Sequence, residues 1–506
     1  MLSLVTQMQG IPKRRRVCID DDVSCMLSDQ TGPSMFPNPP CHPVTWRERL
    51  SGLEKQLRPL AEKTVPLLLA DSDPLQVWAA VLTCQKLGIP LFLGNPKWGE
   101  REWAQAVAGL GCGWRWRQGR LEGDPSPLNP SLREAVPSSH WPLIGIPTGG
   151  SGGQVKWAIH SWRTLSASAK AHQQHFGVDC VHSYCLLPLH HISGLMQAVR
   201  SWLTGGQWIV WDWKRQQQAE AWDPPLPGSF LSLVPTQLQR LLLNAQPGVL
   251  ESLRQFRAIL VGGGPTWPSL RQQARQLHLP LALTYGMTET ASQVCTLLPE
   301  AFWQGNDSLG RPLPHATLQI RSEQGDPLPS DAVGFIHIRA KSLALGHYPQ
   351  AALRVSGAEH FGLRQWHQQG FTPGDWGYLD SQGHLFWLGR ADDLILTGGE
   401  KVMAAEVEGE VRASGWVDDV CVLGLPDAEW GQQVVAVVVP KTGLPAIPQE
   451  LEMHLKQHLS RQLSPFKHPK RWLWCTGIPR NPQGKVNRQQ LRQWAAQQLG
   501  ISPQVS

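Results

Sequence analysis

VPLLLADSDPLQVWAAVLTCQKLGIPLFLGNP, residues 65–96, is the stretch on which the reading of the fold turns. Two short apolar runs, VPLLLADS and IPLFLGNP, each end in turn residues. Between them LQVWAAVLTCQKLG has helical spacing and a terminal glycine. Strand, helix and strand at this spacing predict a βαβ unit and a parallel sheet. The grammar returns downstream. FRAILVGGGP (256–265) reads as a buried strand opening into a glycine turn, SLRQQARQL (269–277) as a helix, and LPLALTYGMTET (279–290) as an apolar strand ending in polar residues. Ligands of open α/β sheets sit at the carboxyl ends of strands. The polar loops after Ile146, Val261 and Leu283 are expected at such ends.

Beyond about residue 310 the texture changes. AVGFIHIRA (332–340) and HLFWLG (384–389) alternate as antiparallel strands do. A smaller unit follows, with DDVCVLGLP (418–426) and QQVVAVVVP (432–440) as strands and LEMHLKQHLSRQL (451–463) as a helix. The domain boundary is placed in GRADDLILTGG, residues 389–399. The predicted class is α/β, with a large N-terminal domain over 45–391 and a small C-terminal α+β domain over 392–506. Residues 1–44, rich in Pro, Ser and Asp, read as a poorly ordered extension or a start codon placed too early.

Bulk properties bound the rest. A chain of 506 residues exceeds one core, so two or three domains are expected. With 41% apolar and 17% charged residues it is globular rather than disordered. The formal charge of +6 comes with no long basic stripe, so no nucleic-acid partner is expected; the run Lys13 to Arg16 is offset at once by Asp20, Asp21 and Asp22. Ten scattered cysteines form no CxxC pair, which points to reduced thiols and a cytoplasmic setting rather than a zinc site or disulfide framework. No apolar run approaches the ~20 residues of a membrane span. The oligomeric state is left open between monomer and homodimer.

TGGSGGQVK, from Thr148 to Lys156, leaves two readings open. A glycine run can be only a tight turn, or its backbone N–H groups can cradle a phosphate with a lysine closing on the charge. It is not a Walker-type loop, in which lysine directly follows the last glycine. The polar stretches in order decide. They are TGGSGGQVK (148), PLHHISG (188), GGGP (262), TYGMTET (284), TPGDWG (372), GRADDLILTGGEKV (389) and IPRNPQGKVNR (478). This series, spread over roughly residues 46–498, resembles the adenylate-forming superfamily of acyl-CoA synthetases, luciferases and adenylation domains.

The resemblance implies a fold of parallel α/β subdomains with a small β-barrel-like part, followed by a mobile C-terminal lid. It also implies a reaction. ATP activates a carboxylate as an acyl-adenylate with release of pyrophosphate, and a thiol then takes the acyl group. ATP, Mg²⁺ and the co-substrate CoA are the expected small molecules, beside a carboxylic acid. An anion attacking a polyanion needs charge neutralisation and in-line positioning. By the resemblance Thr148, Gly149, Gly150, Ser151, Gly152, Gly153 and Lys156 hold the β- and γ-phosphates. Glu289 ligates Mg²⁺, and Thr288 touches phosphate or metal. Tyr285, with Gly286 and Met287 behind it, lies near the adenine beside Gly262, Gly263, Gly264 and Pro265. Asp375 and Arg390 contact the ribose. Lys485 is the adenylation lysine and Asp392 the hinge. Gly398, Gly399, Glu400 and Lys401 face the incoming CoA after the lid has rotated.

Three positions depart from the family's usual pattern. Gly152 stands where a threonine is common, Val155 where a proline is common, and Ala404 likewise replaces a proline. These bear on rate more than on reaction. The compact PLHHISGL and the TGGSGG loop further resemble the 2-succinylbenzoate-CoA ligases of menaquinone and phylloquinone biosynthesis, which implies that His191, Ser193 and Gly194 line the acyl pocket. A second carboxylate in that substrate requires a polar or cationic partner, and no residue is assigned to it from the sequence. The alternative is another acyl- or aryl-CoA synthetase acting on a monocarboxylate. A stand-alone carrier-dependent adenylation domain is disfavoured as an expectation, because no carrier segment with a serine attachment site follows the small unit, and an inactive relative is disfavoured because Glu289 and Lys485 are both kept.

Overall fold

The computed structural model describes residues 43–63, 65–110, 114–117, 119–123, 140–148, 155–243, 246–348, 365–442, 448–480 and 486–501. The expected extension up to residue 42, residues 149–153 of the glycine loop and Lys485 lie outside them.

The βαβ unit forms as read. β1 (Leu67–Ala70) and β2 (Leu91–Leu93) are parallel, with Leu67 opposite Leu91. The helix between them, Pro74–Leu87, starts because the Asp73 side chain accepts from the Leu75 N–H and Pro74 takes the first position. It stops at Gly88, which is left-handed (φ 73°). β3 (Trp114–Arg117) runs parallel to β1, and β4 (Arg120–Glu122) turns back on β3. β5 (Leu143–Thr148) is parallel to β2, and β6 (Lys156–Ser161) is antiparallel to β5. A helix the sequence reading did not single out, Pro43–Lys63, covers this sheet with Leu53, Leu57 and Leu60 fully buried.

A second sheet holds β7 (Ser183–Cys185), β8 (Trp208–Val210), β9 (Phe230–Leu233), β10 (Ala258–Val261), β11 (Leu281–Met287), β12 (Ser292–Thr296) and β13 (Arg311–Pro312). Its order is β13-β12-β11-β10-β9-β7-β8, parallel from β8 to β11 and antiparallel beyond. β10 ends at Val261, as expected. β11 does not end at Leu283. It continues to Met287 because Thr284 and Tyr285 pair with Thr296 and Cys295 of β12, with a register shift between Tyr285 and Gly286. Likewise β5 runs past Ile146 to Thr148, which pairs with Lys156.

The barrel-like part is an antiparallel sheet ordered β14 (Ala316–Arg321), β15 (Gly334–Ala340), then, after the separate strand β16 (Gly346–Tyr348), β17 (Asp375–Leu379) and β18 (Leu385–Arg390). β16 instead joins the first sheet beside β6. The last sheet takes β19 (Leu394–Thr397), β20 (Glu400–Met403), β21 (Val417–Asp427), β22 (Gly431–Pro440) and β23 (Arg471–Trp474). β22 is buried on both faces. Val434, Ala436 and Val438 pack under the helices Ala404–Ala413 and Pro448–Gln462, while Val435 and Val437 face the helix Arg488–Gln498.

The two large sheets share one core. Trp78 of the first βαβ helix meets Trp202 and Trp208, each with ring centres 6.1 Å away, beside Leu195, Met196 and Val199 of the helix Ile192–Thr204. Tryptophan thus serves here as packing, each buried large apolar side chain contributing about 1.5–3 kcal/mol.

The Ile192–Thr204 helix is held tightly at its start. A Cβ on Gly194 would fall inside contact distance of the carbonyl oxygens of Leu187 and Pro188, which are backbone and cannot swing away. On an open helix Gly→Ala gains about 1 kcal/mol. Here Gly194→Ala should destabilise by roughly 1–3 kcal/mol and lower the thermal unfolding midpoint; a raised midpoint would contradict the packing described.

Candidate active site

Several of the sequence-predicted residues lie at the junctions of the first three sheets. The glycine loop bridges β5 and β6, and its flanks are set opposite each other. Thr148 and Lys156 are cross-strand partners, and the Thr148 hydroxyl lies 3.5 Å from the Lys156 carbonyl. The altered position Val155 packs on the core of the first sheet, against a cluster that includes Phe92 and Trp157. Ala404, the other described departure, is buried at the first position of the helix Ala404–Ala413.

Tyr285 and Asp375 are joined. The phenol donates to the Asp375 carboxylate at 2.7 Å, and both are buried. Burial, with the facing Asp375 charge, pushes the Tyr285 phenol well above its ordinary range. It therefore stays a donor, fixing one carboxylate oxygen. On the other side Arg390 Nη1 stands 3.7 Å from Asp375, and Arg390 Nη2 is 3.5 Å from Asp392. Gly262 to Pro265 follow β10 directly, with Gly263, Gly264 and Pro265 exposed. Gly286 and Met287 end β11, and the Met287 N–H donates to the Thr290 hydroxyl at 2.9 Å.

Thr288 and Glu289 occupy a 3₁₀ turn, Thr288–Thr290. That turn is clamped by its neighbours. Fully buried His160 of β6 bonds the Thr288 carbonyl through Nε2 at 2.8 Å. The Ala344 N–H donates to the Glu289 carbonyl at 2.7 Å, and His347 Nε2 meets Glu289 Oε1 at 2.9 Å.

The acyl-pocket residues begin the Ile192–Thr204 helix. His191 is its N-cap, with its ring 4.2 Å from that of His190, and Ser193 is half-buried. Burial, aided by the His191 and Lys97 charges, pushes the His190 imidazole down to about 3, so it is neutral.

One residue on this helix escaped the sequence reading. Arg200 is 2% exposed, and its Nη2 donates to the Ser292 hydroxyl at 3.1 Å. Its Nε is buried with no hydrogen-bond partner, and among the described residues no carboxylate lies within ion-pair distance of it. Burial alone pushes the guanidinium down to about 9, still protonated at neutral pH. Ser292 is held left-handed (φ 80°), an unusual conformation for a non-glycine residue. The available signal was position: four residues after Met196, Arg200 falls on the helix's apolar face.

The expected hinge and CoA-facing residues are also set out. Asp392 sits in a 3₁₀ turn, Ala391–Asp393, with an 83% exposed side chain, and its carbonyl accepts from Arg492 at 3.1 Å. Gly398 and Gly399 make a left-handed turn between β19 and β20, with Gly398 against the Trp430 ring. Glu400 is exposed, while Lys401 Nζ lies 3.5 Å from Glu323 and 4.8 Å from the Trp376 ring centre.

Comparison with known proteins identifies this assembly. The model of the AMP-binding enzyme family matches residues 101–348, and that of the AMP-binding enzyme C-terminal domain matches residues 406–485. A 2-succinylbenzoate-CoA ligase of Enterococcus faecalis is 32% identical over 343 residues, 67% of each protein. The chain belongs to the AMP-binding enzyme family. A second 2-succinylbenzoate-CoA ligase, from Geobacillus kaustophilus, is 33% identical over 350 residues, 68% of each protein. Among solved structures, o-succinylbenzoate CoA synthetase from Bacillus subtilis with its acyl-adenylate superposes with a TM-score of 0.71 at 23% identity, covering 89% of this chain and 92% of that one. ATP-bound MatB from Rhodopseudomonas palustris gives 0.72 at 21%, covering 88% and 93%. As an AMP-binding enzyme the chain is an acid-CoA ligase that uses ATP, Mg²⁺ and CoA. No helix among the described residues is long and apolar enough to cross a membrane.

The donor set suits Mg²⁺. Glu289 and Thr288 offer hard oxygens, and among the described residues no cluster of three His, Cys, Asp or Glu could hold a metal unaided. Mg²⁺ usually keeps substrate phosphates and waters in its shell, so two protein oxygens would suffice.

Hydrogen bonds to a charged acceptor are worth about 1.5–3 kcal/mol. If Asp375 receives the ribose hydroxyls, Asp375→Asn should weaken ATP binding roughly 10–100-fold, measured calorimetrically, without changing affinity for the acid. Unchanged ATP affinity would remove Asp375 from the nucleotide site.

Proposed function

We propose that the chain converts 2-succinylbenzoate and CoA to 2-succinylbenzoyl-CoA through an acyl-adenylate, in menaquinone or phylloquinone biosynthesis. The observation that carries this reading is Arg200. A buried guanidinium without a counter-ion is costly, and it becomes favourable once an anion enters. It lies between the helix begun by PLHHISG and the turn that follows TYGMTE, the two stretches that bound the acyl pocket in the family. A dicarboxylic aromatic acid supplies that anion with its ring carboxylate while its succinyl carboxylate reacts. A monocarboxylate leaves the charge unmet.

On this reading the succinyl carboxylate attacks the α-phosphorus of ATP, the bond to pyrophosphate breaks, and acyl-AMP forms. The CoA thiol then loses its proton, its sulfur takes the acyl carbon, and AMP departs. Thr148, Gly149, Gly150, Ser151, Gly152, Gly153 and Lys156 hold the pyrophosphate end, and Lys485 neutralises charge at the α-phosphate. Tyr285 and Arg390 orient Asp375 for the ribose hydroxyls. When bound, Mg²⁺ supplies charge compensation between the phosphates, with Glu289 and Thr288 holding it. Rotation about Asp392 exchanges Lys485 for the Gly398 to Lys401 turn at the site. The roles of the domain boundary, a cytoplasmic setting and a monomer or homodimer belong to the same reading.

The test compares 2-succinylbenzoate with 4-oxo-4-phenylbutanoate, which lacks only the ring carboxylate, and with benzoate, cinnamate and a medium-chain fatty acid. CoA-ester formation should favour the dicarboxylate. Removing one partner of a buried ion pair costs about 3–5 kcal/mol. Arg200→Leu should therefore lower kcat/KM for 2-succinylbenzoate at least about 100-fold while nearly abolishing discrimination against the monocarboxylate. Arg200→Lys, which keeps the charge, should retain part of it, and Lys485→Ala should block AMP formation from every acid. A wild type that prefers a monocarboxylate would sink the substrate assignment and leave the fold and chemistry standing.

A further inference from the structure

The proposed metal-binding turn, Thr288–Thr290, belongs to the second sheet, yet what holds it comes from the first. β6 and β16 form one antiparallel ladder in which Gly346, His347 and Tyr348 face Ile159, Ala158 and Trp157. The ladder and the residues leading into β16 reach the turn at three points. His160 bonds the Thr288 carbonyl, the Ala344 N–H bonds the Glu289 carbonyl, and His347 Nε2 bonds Glu289 Oε1 at 2.9 Å. Lys156, the last residue of the glycine stretch, begins β6. One ladder therefore carries both the exit of the phosphate loop and the His347 contact to the carboxylate.

We propose that His347 is a positioning residue for the metal-binding carboxylate: its bond to Glu289 Oε1 sets the orientation in which that carboxylate meets the cation. Three observations support the assignment. The Glu289 side chain is 15% exposed and the His347 side chain 31%, so the bond is largely shielded from water yet borders open space. The imidazole is steadied by the Trp366 ring, edge-on with centres 4.9 Å apart. The backbone of the turn has its own bonds at the Thr288 and Glu289 carbonyls, and the His347 contact is made to the carboxylate itself. A metal-ligating group that is hydrogen-bonded from outside is preorganised, and loss of such a partner commonly costs 10–100-fold in metal affinity.

The proposal rests on the reading that Glu289 is a metal ligand, and the test separates the two. It needs no acid. Binding of a non-hydrolysable ATP analogue is measured calorimetrically at graded free Mg²⁺ and in EDTA, for the wild type and for His347→Ala, His347→Gln and Glu289→Gln. His347→Ala should raise the Mg²⁺ concentration needed for tight nucleotide binding about tenfold and leave binding in EDTA unchanged. His347→Gln, whose amide can still donate to the carboxylate, should recover to within about threefold of the wild type. An unchanged Mg²⁺ requirement in His347→Ala overturns the positioning role. A matching loss in EDTA overturns it as well, because it marks a general disruption of the nucleotide site. Glu289→Gln with wild-type Mg²⁺ dependence removes the carboxylate itself from the metal and takes both readings with it.

Discussion

The hydrogen bond from the Tyr285 hydroxyl to Asp375 is the join on which the nucleotide site depends. It crosses from the end of β11 to the start of β17, and so from a parallel-centred sheet to an antiparallel one. Neither group can be left alone at that depth. An unpaired buried phenol costs about 1–3 kcal/mol, and an unpaired buried carboxylate costs more. Each therefore enforces the position of the other's sheet. Arg390, reaching back from the end of β18, adds a cation to the same carboxylate just before the chain enters the small C-terminal unit. A single buried acid is thereby tied to two sheets and to the segment that leads into a third.

The proposed acyl side is organised by the opposite condition, a charge with no ion-pair partner among the described residues. Arg200 lies in a helix that packs between the two large sheets, and its guanidinium donates to a neutral hydroxyl, that of Ser292. The backbone of Ala291 and Ser292 is left-handed at that point, φ 50° and 80°, which aims the hydroxyl at the guanidinium. Local strain of this kind persists only when the surroundings enforce it. Here Ser168 donates to the Ala291 carbonyl at 2.7 Å and holds the turn from behind.

How much of this was legible depends on the range over which each signal acts. β1, its helix and β2 could be read because both faces are buried and every second constraint is local: a proline start, a glycine stop, uninterrupted leucines. The length of β11 could not, since Thr284 to Met287 are held as a strand by β12 and not by apolar periodicity. The Pro43–Lys63 helix was obscured by Pro59 inside it and by a low-hydrophobicity outer face. Family motifs named Glu289, Asp375 and Arg390 by their neighbours in sequence. They were silent on His347, which meets Glu289 across 58 residues, and on Arg200, which meets Ser292 across 92. Residues that serve a site from outside a motif are found by burial and geometry, because no short spacing marks them.

The uncompensated guanidinium has a consequence for how the protein can evolve. A guanidinium buried with no ion-pair partner among the described residues weakens the fold around it, and an apolar side chain of similar size would make the same helix firmer. If Arg200 meets the acid as proposed, selection for heat resistance alone would act against it, and robustness gained there would be discrimination lost. On the proposed role, one side chain carries a trade-off between durability and activity.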